Sequence, residues 1–268
     1  MTVHSFHHTG VVTHDLDELA RRYTALGFTV SPRSRHLLSA APGEAPVPGC
    51  TANQCVVFAD SYIELLGIVD GTAPDPWRAK ELGIGFRLVN FATDDAEATA
   101  TALSAAGVPA HGVLDLARDV ETEDGPRTVK ARAVHLDPRS TVEGFVGIAQ
   151  HLTRNLIHQP RWQDHPNGAH ALATVRIAAA EADFDAIVQR YAQLLEAAPE
   201  RHGTLAVLPV GGARLEIAGG AAVSRFEAMT VAVADLAHAR RTVEDGGIAT
   251  ETTEAGFAAD GLFFTERS

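Results

Sequence analysis

The sequence predicts an α+β protein built from four tandem βαβββ units, and three observations carry that prediction. A short apolar strand, an acidic residue and an amphipathic helix recur in that order four times along the 268 residues. The helices place their apolar residues on one face, as a helix lying against a sheet must. Each helix is followed by strand candidates separated by turn residues.

The first unit opens with Thr9-Gly10-Val11-Val12-Thr13-His14, then Asp15, then a helix to Gly27. The second runs from Phe86 to Thr93, then Asp94-Asp95, then a helix to Gly107. The third runs from Leu172 to Ala180, then Glu181 and Asp183, then a helix to about Ala198 before Pro199. The fourth is Met229 to Ala234, then Asp235, then a helix to Gly246-Gly247. An Asp after a strand accepts hydrogen bonds from the free N–H groups of a first helical turn and suits the helix dipole. A glycine at the far end closes the helix in the left-handed conformation. Leu16, Leu19, Ala20, Tyr23 and Leu26 share one helical face; Phe184, Ile187, Val188, Tyr191 and Leu195 share another.

Strand candidates after the first helix are Phe28-Thr29-Val30, Gln54 to Ala59 and Tyr62 to Val69, the last two joined at Asp60-Ser61. In the second unit they are Val113 to Asp119, Val129 to Leu136 and Gly144 to Gln150. In the third they are Leu205 to Val210 and Ala213 to Ile217, around Gly211-Gly212. Residues 33–53, rich in Pro, Gly and small side chains, read as a long insertion between strands, a candidate lid. Gln159 to Gly168 reads as the connector between two halves.

Composition narrows the function classes. A net charge of −12 repels phosphate backbones, so nucleic acid is a poor partner. No apolar run approaches the ~20 residues that cross a bilayer, so no membrane partner is expected, and the N-terminus lacks signal-peptide regions. A cytoplasmic protein is the expectation. Cys55 lies in the apolar run Cys55-Val56-Val57-Phe58 and reads as a buried free thiol, with metal or nucleophilic chemistry the alternative; Cys50 and Cys55 do not make a disulfide scaffold. Gly83-Ile84-Gly85 lacks a third glycine and precedes a strand, so a nucleotide loop is not indicated, and no nucleophile-elbow motif is present.

The run His8-Thr9-Gly10-Val11-Val12-Thr13-His14-Asp15-Leu16 resembles the opening of a vicinal oxygen chelate module, and Tyr62-Ile63-Glu64-Leu65-Leu66 resembles that module's fourth strand. Asn53 to Phe58, Gln150-His151-Leu152-Thr153 and His165-Pro166-Asn167-Gly168-Ala169 resemble the glyoxalase-like branch of that superfamily, whose other members include bleomycin-resistance proteins and extradiol dioxygenases. The resemblance spans most of residues 7 to 170; the C-terminal third shares only the βαβββ order. It implies modules paired into U-shaped barrels, two in this chain, with residues 1–158 forming an N-terminal barrel, 159–268 a degenerate C-terminal one, and a linker at about 152–168. It further implies a divalent metal in a cleft, held by side chains of both modules, with substrate oxygens at its open positions.

Counting from the acidic residues, the histidine slot of the four modules holds His8, Arg87, Thr174 or Arg176, and Ala228; the glutamate slot holds Glu64, about Gln150, Glu216 and a residue near Phe264. Only the first module carries both ligand types, so at most one metal site is expected, with His8, Glu64 and His151 as its ligands and Fe, Mn, Ni or Zn, or no metal, as its occupant. Strand alternation lets only one of Gln150 and His151 face the cleft. The bland readings are a solvated patch at His4, His7 and His8, a cation partner for the carboxylate of Glu64, a strand cap at His151 and a turn histidine at His165. Arg87 either binds a substrate carboxylate or phenolate or neutralises Glu64. Candidates for contacting substrate are Arg87, Arg35, His36, Gln54, Tyr62 and Gln150. No residue is assigned a proton-transfer role.

Two functions follow. One is a metal-dependent lyase, isomerase or dioxygenase acting on a small oxygen-rich metabolite. The other is metal-free binding or sequestration of a small molecule, as in resistance proteins. Either suits a small-molecule partner and admits a homodimer.

Overall fold

A computed structural model describes residues 3–266 and arranges the four units as two eight-stranded sheets. The first half comprises β1 (Val3–Thr13), α1 (Leu16–Ala25), β2 (Ser34–Leu38), β3 (Val47–Val57), β4 (Tyr62–Ile68), β5 (Gly85–Thr93), α2 (Ala96–Ala105), β6 (Ala110–Thr122), β7 (Gly125–Leu136) and β8 (Phe145–His151). The second comprises β9 (Ala169–Ala180), α3 (Phe184–Leu195), β10 (Glu200–His202), β11 (Leu205–Val210), β12 (Ala213–Ala221), β13 (Arg225–Val233), α4 (Leu236–Asp245), β14 (Glu251–Thr253), β15 (Gly256–Ala259) and β16 (Leu262–Glu266).

The repeat is visible in the pairing. In each unit the first and last strands lie parallel (β1 with β4, β5 with β8, β9 with β12, β13 with β16), and two units join through antiparallel first strands (β1 with β5, β9 with β13). The first half closes into a barrel in the order β1-β4-β3-β2-β6-β7-β8-β5, whereas the second remains an open sheet ordered β10-β11-β12-β9-β13-β16-β15-β14. Closure depends on β2 pairing with the long β6, through Leu37 to Ala117 and Leu38 to Leu116. The edge strands of the second sheet, β10 and β14, have three residues each. Such strands offer few ladder bonds with which to bridge the gap.

Asp15, Asp95 and Asp235 cap their helices, their side chains accepting from the N–H groups of Glu18, Ala98 and His238. Beyond α1, Gly27 takes the left-handed conformation at φ +83° that favours glycine. The third unit departs from the pattern. Asp183 makes no cap and accepts from the Ser224 hydroxyl instead, and the helix stops at Leu195, where Glu196 takes the left-handed conformation.

Two expected elements form differently. Phe28-Thr29-Val30 is not a strand: Phe28 is buried against Tyr23 and Phe264, and the Thr29 N–H donates to His165 Nδ1. Residues 33–53 are not a lid: most of them form β2 and the start of β3, two walls of the barrel, with only 39–46 as a connecting turn. The composition signal of Pro and Gly there was outweighed by strand alternation, with Ser34, His36 and Leu38 inward. In the connector, His165 Nε2 meets the Val57 carbonyl, and the Asn167 amide donates to the Leu26 carbonyl. These contacts fasten the connector to α1 and β3.

The main hydrophobic core is shared by both halves. Leu19 and Tyr23 of α1, Phe91 of β5, Ile187 and Tyr191 of α3, and Phe257 and Phe264 of the second sheet belong to one cluster. Each such side chain contributes on the order of 1.5–3 kcal/mol by leaving water. This shared core lies outside the barrel, leaving the barrel interior free to be a site.

Candidate functional site

The barrel interior holds a cleft open to solvent, with about 810 Å³ of empty space when that opening is counted. Alternate residues of each strand supply its wall: His36 and Leu38 from β2, Thr51 and Asn53 from β3, Tyr62, Glu64 and Leu66 from β4, Leu88 and Asn90 from β5, Leu116 and Arg118 from β6. A β-bulge between Phe6 and His8 inserts His7 as an extra residue, so both His7 and His8 line the cavity. Trp77 and Phe145 flank His135 edge-on at the apolar side.

Glu64 is the central polar group. Its residue is 6% exposed, and burial raises its carboxyl above the usual range, against the Asn53 hydrogen bond and the charge of Arg118. The Asn53 amide donates to Oε1 at 2.6 Å. His36 Nε2 stands 3.5 Å from the same oxygen and His8 Nε2 stands 3.7 Å from Oε2. Both imidazoles are held neutral: burial pushes His36 down to about 3, and burial, then the charges of His151, His36 and Arg118, push His8 far below its usual value. The Asn90 amide donates to His8 Nε2 at 3.0 Å, which puts the His8 proton on Nδ1, 2.7 Å from His7 Nδ1. That in turn leaves the His7 proton on Nε2, which is buried without a partner. Asn53 Oδ1 is a second buried polar atom without one. Tyr62 stacks on His8 and on His151, and His151 packs against His7.

The structure brings His8, Glu64, His36, Tyr62 and His151 into this one cavity. Of the pair at the end of β8, it is His151 that faces inward. Gln150 turns away, accepting from the Ala96 N–H and donating to the Asp94 carbonyl. Gln54 donates to the Ser31 carbonyl, and Arg35 is tied to Gly49 and Asp70 on the outside. Arg87 reaches neither the cavity nor Glu64; its Nε donates to the Ile84 carbonyl.

The placement of Arg87 corrects the counting. The cap of α2 is Asp95, not Asp94, so the position equivalent to His8 is Leu88. Strand register agrees: Gly10 pairs with both Glu64 and Leu88, and Asn90 with Gly147. The second module therefore has Leu88 in the histidine slot and Gly147 in the glutamate slot. A Cβ on Gly147 would lie 2.1 Å from Asn90 Oδ1, so the missing side chain makes room for the amide that binds His8. In the second sheet Arg176 pairs with Glu216 and with Ala228, which makes Thr174 the histidine-slot residue and Ala228 its counterpart; Arg176 ion-pairs Glu216 and Glu227.

The fit of a divalent metal can be tested on these donors. His8 and His36 each approach Glu64, but on different oxygens, at 3.7 Å from Oε2 and 3.5 Å from Oε1. Leu88 and Gly147 offer no donor, and the lone pair of His8 Nε2 already accepts from Asn90. Among the described residues no group of three or more His, Cys, Asp or Glu side chains is arranged to hold a metal ion, so His151 does not complete the expected set. A catalytic metal takes about three protein ligands, and the residues present fall short of that.

His7, Asn53, Asn90, Arg118 and His135 were missed by sequence reasoning. Arg118 had a usable signal, the period-two run Leu114, Leu116, Arg118; His7 had none, because the bulge is invisible before the strands pair.

A family model described as a glyoxalase-like domain matches residues 6–195. No curated protein matches the chain. Among solved structures, a hypothetical protein from Staphylococcus aureus superposes with a TM-score of 0.70 at 14% identity, covering 98% of this chain and 99% of that one. A variant of 4-hydroxymandelate synthase from Streptomyces coelicolor gives 0.56 at 12% identity, covering 100% and 95%. A fusion of a xylose isomerase-like TIM barrel with 4-hydroxyphenylpyruvate dioxygenase gives 0.59 at 12%, covering 92% of this chain and 40% of that one. At such identities the likeness concerns the fold. Among the described residues no helix is long and apolar enough to cross a membrane.

Proposed function

The chain belongs to the glyoxalase-like domain family, and from that premise we propose that its N-terminal barrel binds a small, oxygen-bearing organic molecule directly through side chains rather than through a metal centre. One observation carries the reading: the residues lining the barrel cavity include His7 and Asn53, whose Nε2 donor and Oδ1 acceptor are buried without a partner, beside the carboxylate of Glu64. Leaving a buried polar atom unpaired costs about 1–3 kcal/mol. Ligand oxygens and hydroxyls inside the barrel would recover that loss, and the apolar wall would take the ligand's carbon skeleton. The role is that of a small-molecule binding or sequestration protein.

A second reading is a divalent-metal-dependent lyase, isomerase or dioxygenase. It is favoured by the 3.7 Å between His8 Nε2 and Glu64 Oε2. Two tetrahedral donors at about 2.0–2.2 Å from one ion would lie roughly 3.4 Å apart. Here His8 and Glu64 would be the ligands from the chain.

Metal analysis and native mass spectrometry of protein purified without chelator separate the two. The first reading expects substoichiometric transition metal and a small molecule retained or rebound by the wild type, lost in Glu64→Ala. One equivalent of metal, lost in both His8→Ala and Glu64→Ala, would overturn it in favour of the second.

A further inference from the structure

Among the described residues Arg118 carries a positive charge into the barrel without an ion pair, although its charge is felt by Glu64 in the same cavity. The residue is 4% exposed and lines the cavity from β6. Among the described residues its hydrogen bonding is a contact of 3.8 Å from Nη2 to Cys55 Sγ. That sulfur is uncharged, because burial pushes the Cys55 thiol up to about 11. Glu64 shares the cavity, but its oxygens face Asn53, His36 and His8, and no ion pair joins it to Arg118. Buried charges are as a rule paired.

The rest of the wall says what would pair it. Arg132, the other cation lining the cavity, is partly exposed and already ion-paired to Glu97 and Asp115. One free cation suits one negative charge, not a phosphate dianion. The same cavity is lined by Leu38, Leu88, Leu116, Val129 and Phe145, which suit a hydrocarbon or aromatic body. We propose that Arg118 anchors the carboxylate of a monoanionic ligand with an apolar body, its planar fork taking both oxygens. This rests on the reading above that the barrel cavity is a ligand site.

The test is calorimetric titration with a matched pair, 3-phenylpropanoate and the uncharged 3-phenylpropanamide. In the wild type the acid is expected to bind at least about 10-fold more tightly than the amide, the scale of a charge-assisted pair. In Arg118→Met that ratio falls to about one while amide binding persists, and the thermal midpoint stays level or rises because an unpaired buried charge is gone. Arg118→Lys, which keeps the charge and loses the fork, retains a preference for the acid with acid affinity lowered at least 3-fold. It decides the matter if the Met variant does not fold. Equal binding of acid and amide by the wild type, a preference that survives Arg118→Met, or full acid affinity in Arg118→Lys would overturn the anchor and leave the cavity reading intact. Binding of neither probe would overturn both.

Discussion

Removing Glu143 should cost this protein more than any cavity substitution. The side chain is fully buried on the β7–β8 connection and reaches α3 of the other half: Arg190 Nη2 ion-pairs Oε1, and the Tyr191 hydroxyl donates to the same oxygen at 2.7 Å. The backbone joins in, since the Phe226 N–H donates to the Glu143 carbonyl. Glu143→Ala leaves the Arg190 guanidinium, 13% exposed, with the Ser140 carbonyl as its remaining acceptor. Breaking a buried pair from one side costs about 3–5 kcal/mol. At roughly 2–4 °C per kcal/mol for a chain of this size, the melting midpoint should drop by about 6–20 °C. Glu143→Gln keeps an acceptor for Tyr191 and should lose less. Urea unfolding followed by circular dichroism, with calorimetry for the midpoint, measures both. Because the core is continuous across the halves, a single transition is expected in wild type and variant alike. A loss under about 1 kcal/mol, or two separate transitions, would refute this account of how the halves are joined.

Other expectations follow from the site. Gly147→Ala drives a Cβ into Asn90 and should cost about 1–3 kcal/mol while releasing His8 from its amide partner; an unchanged His8 Nε2 resonance in the variant would argue against that contact. Leu88→His places an imidazole in the second module's histidine slot, across Gly10 from Glu64, and should confer one equivalent of tight Co(II) binding over the wild type, read from visible absorbance. Failure to gain it would show that the slot register is misassigned. Stability should also fall on acidification. His36 and His135 are pushed down to about 3 by burial, so the unfolded chain takes their protons first. Their contribution is whole above about pH 6.5 and is lost as pH drops toward 3, at about 1.4 kcal/mol per unit for each imidazole. Glu64, whose carboxyl is raised by burial, acts in the opposite sense: its contribution is whole at low pH and is lost as pH rises through its folded value. Denaturant midpoints that stay level from pH 6.5 to 5 would contradict the imidazole burial.

The four-unit α+β architecture was legible along the chain because its signals are local. An Asp that caps a helix and an apolar stripe do not depend on distant residues, and Asp15, Asp95 and Asp235 all act as their positions suggest. His8 and Glu64 were singled out through the family resemblance, Glu64 also as a charge set in the apolar run Ile63 to Leu66, and both line the cavity. What lay beyond the sequence was decided by pairing between strands distant along the chain. The register of β5 on β1 makes Leu88, not Arg87, the second module's equivalent of His8 and brings Asn90 onto the His8 imidazole. The bulge at His7 adds a second imidazole to the wall. Closure of β2 onto β6 turns a run that reads as loop, residues 33–53, into barrel wall and brings Arg118 into the cavity lining. A one-residue slip in any of these registers would send the same side chains to the opposite face. The elements were therefore set by local chemistry, whereas the contents of the cavity were set by how the sheet closed.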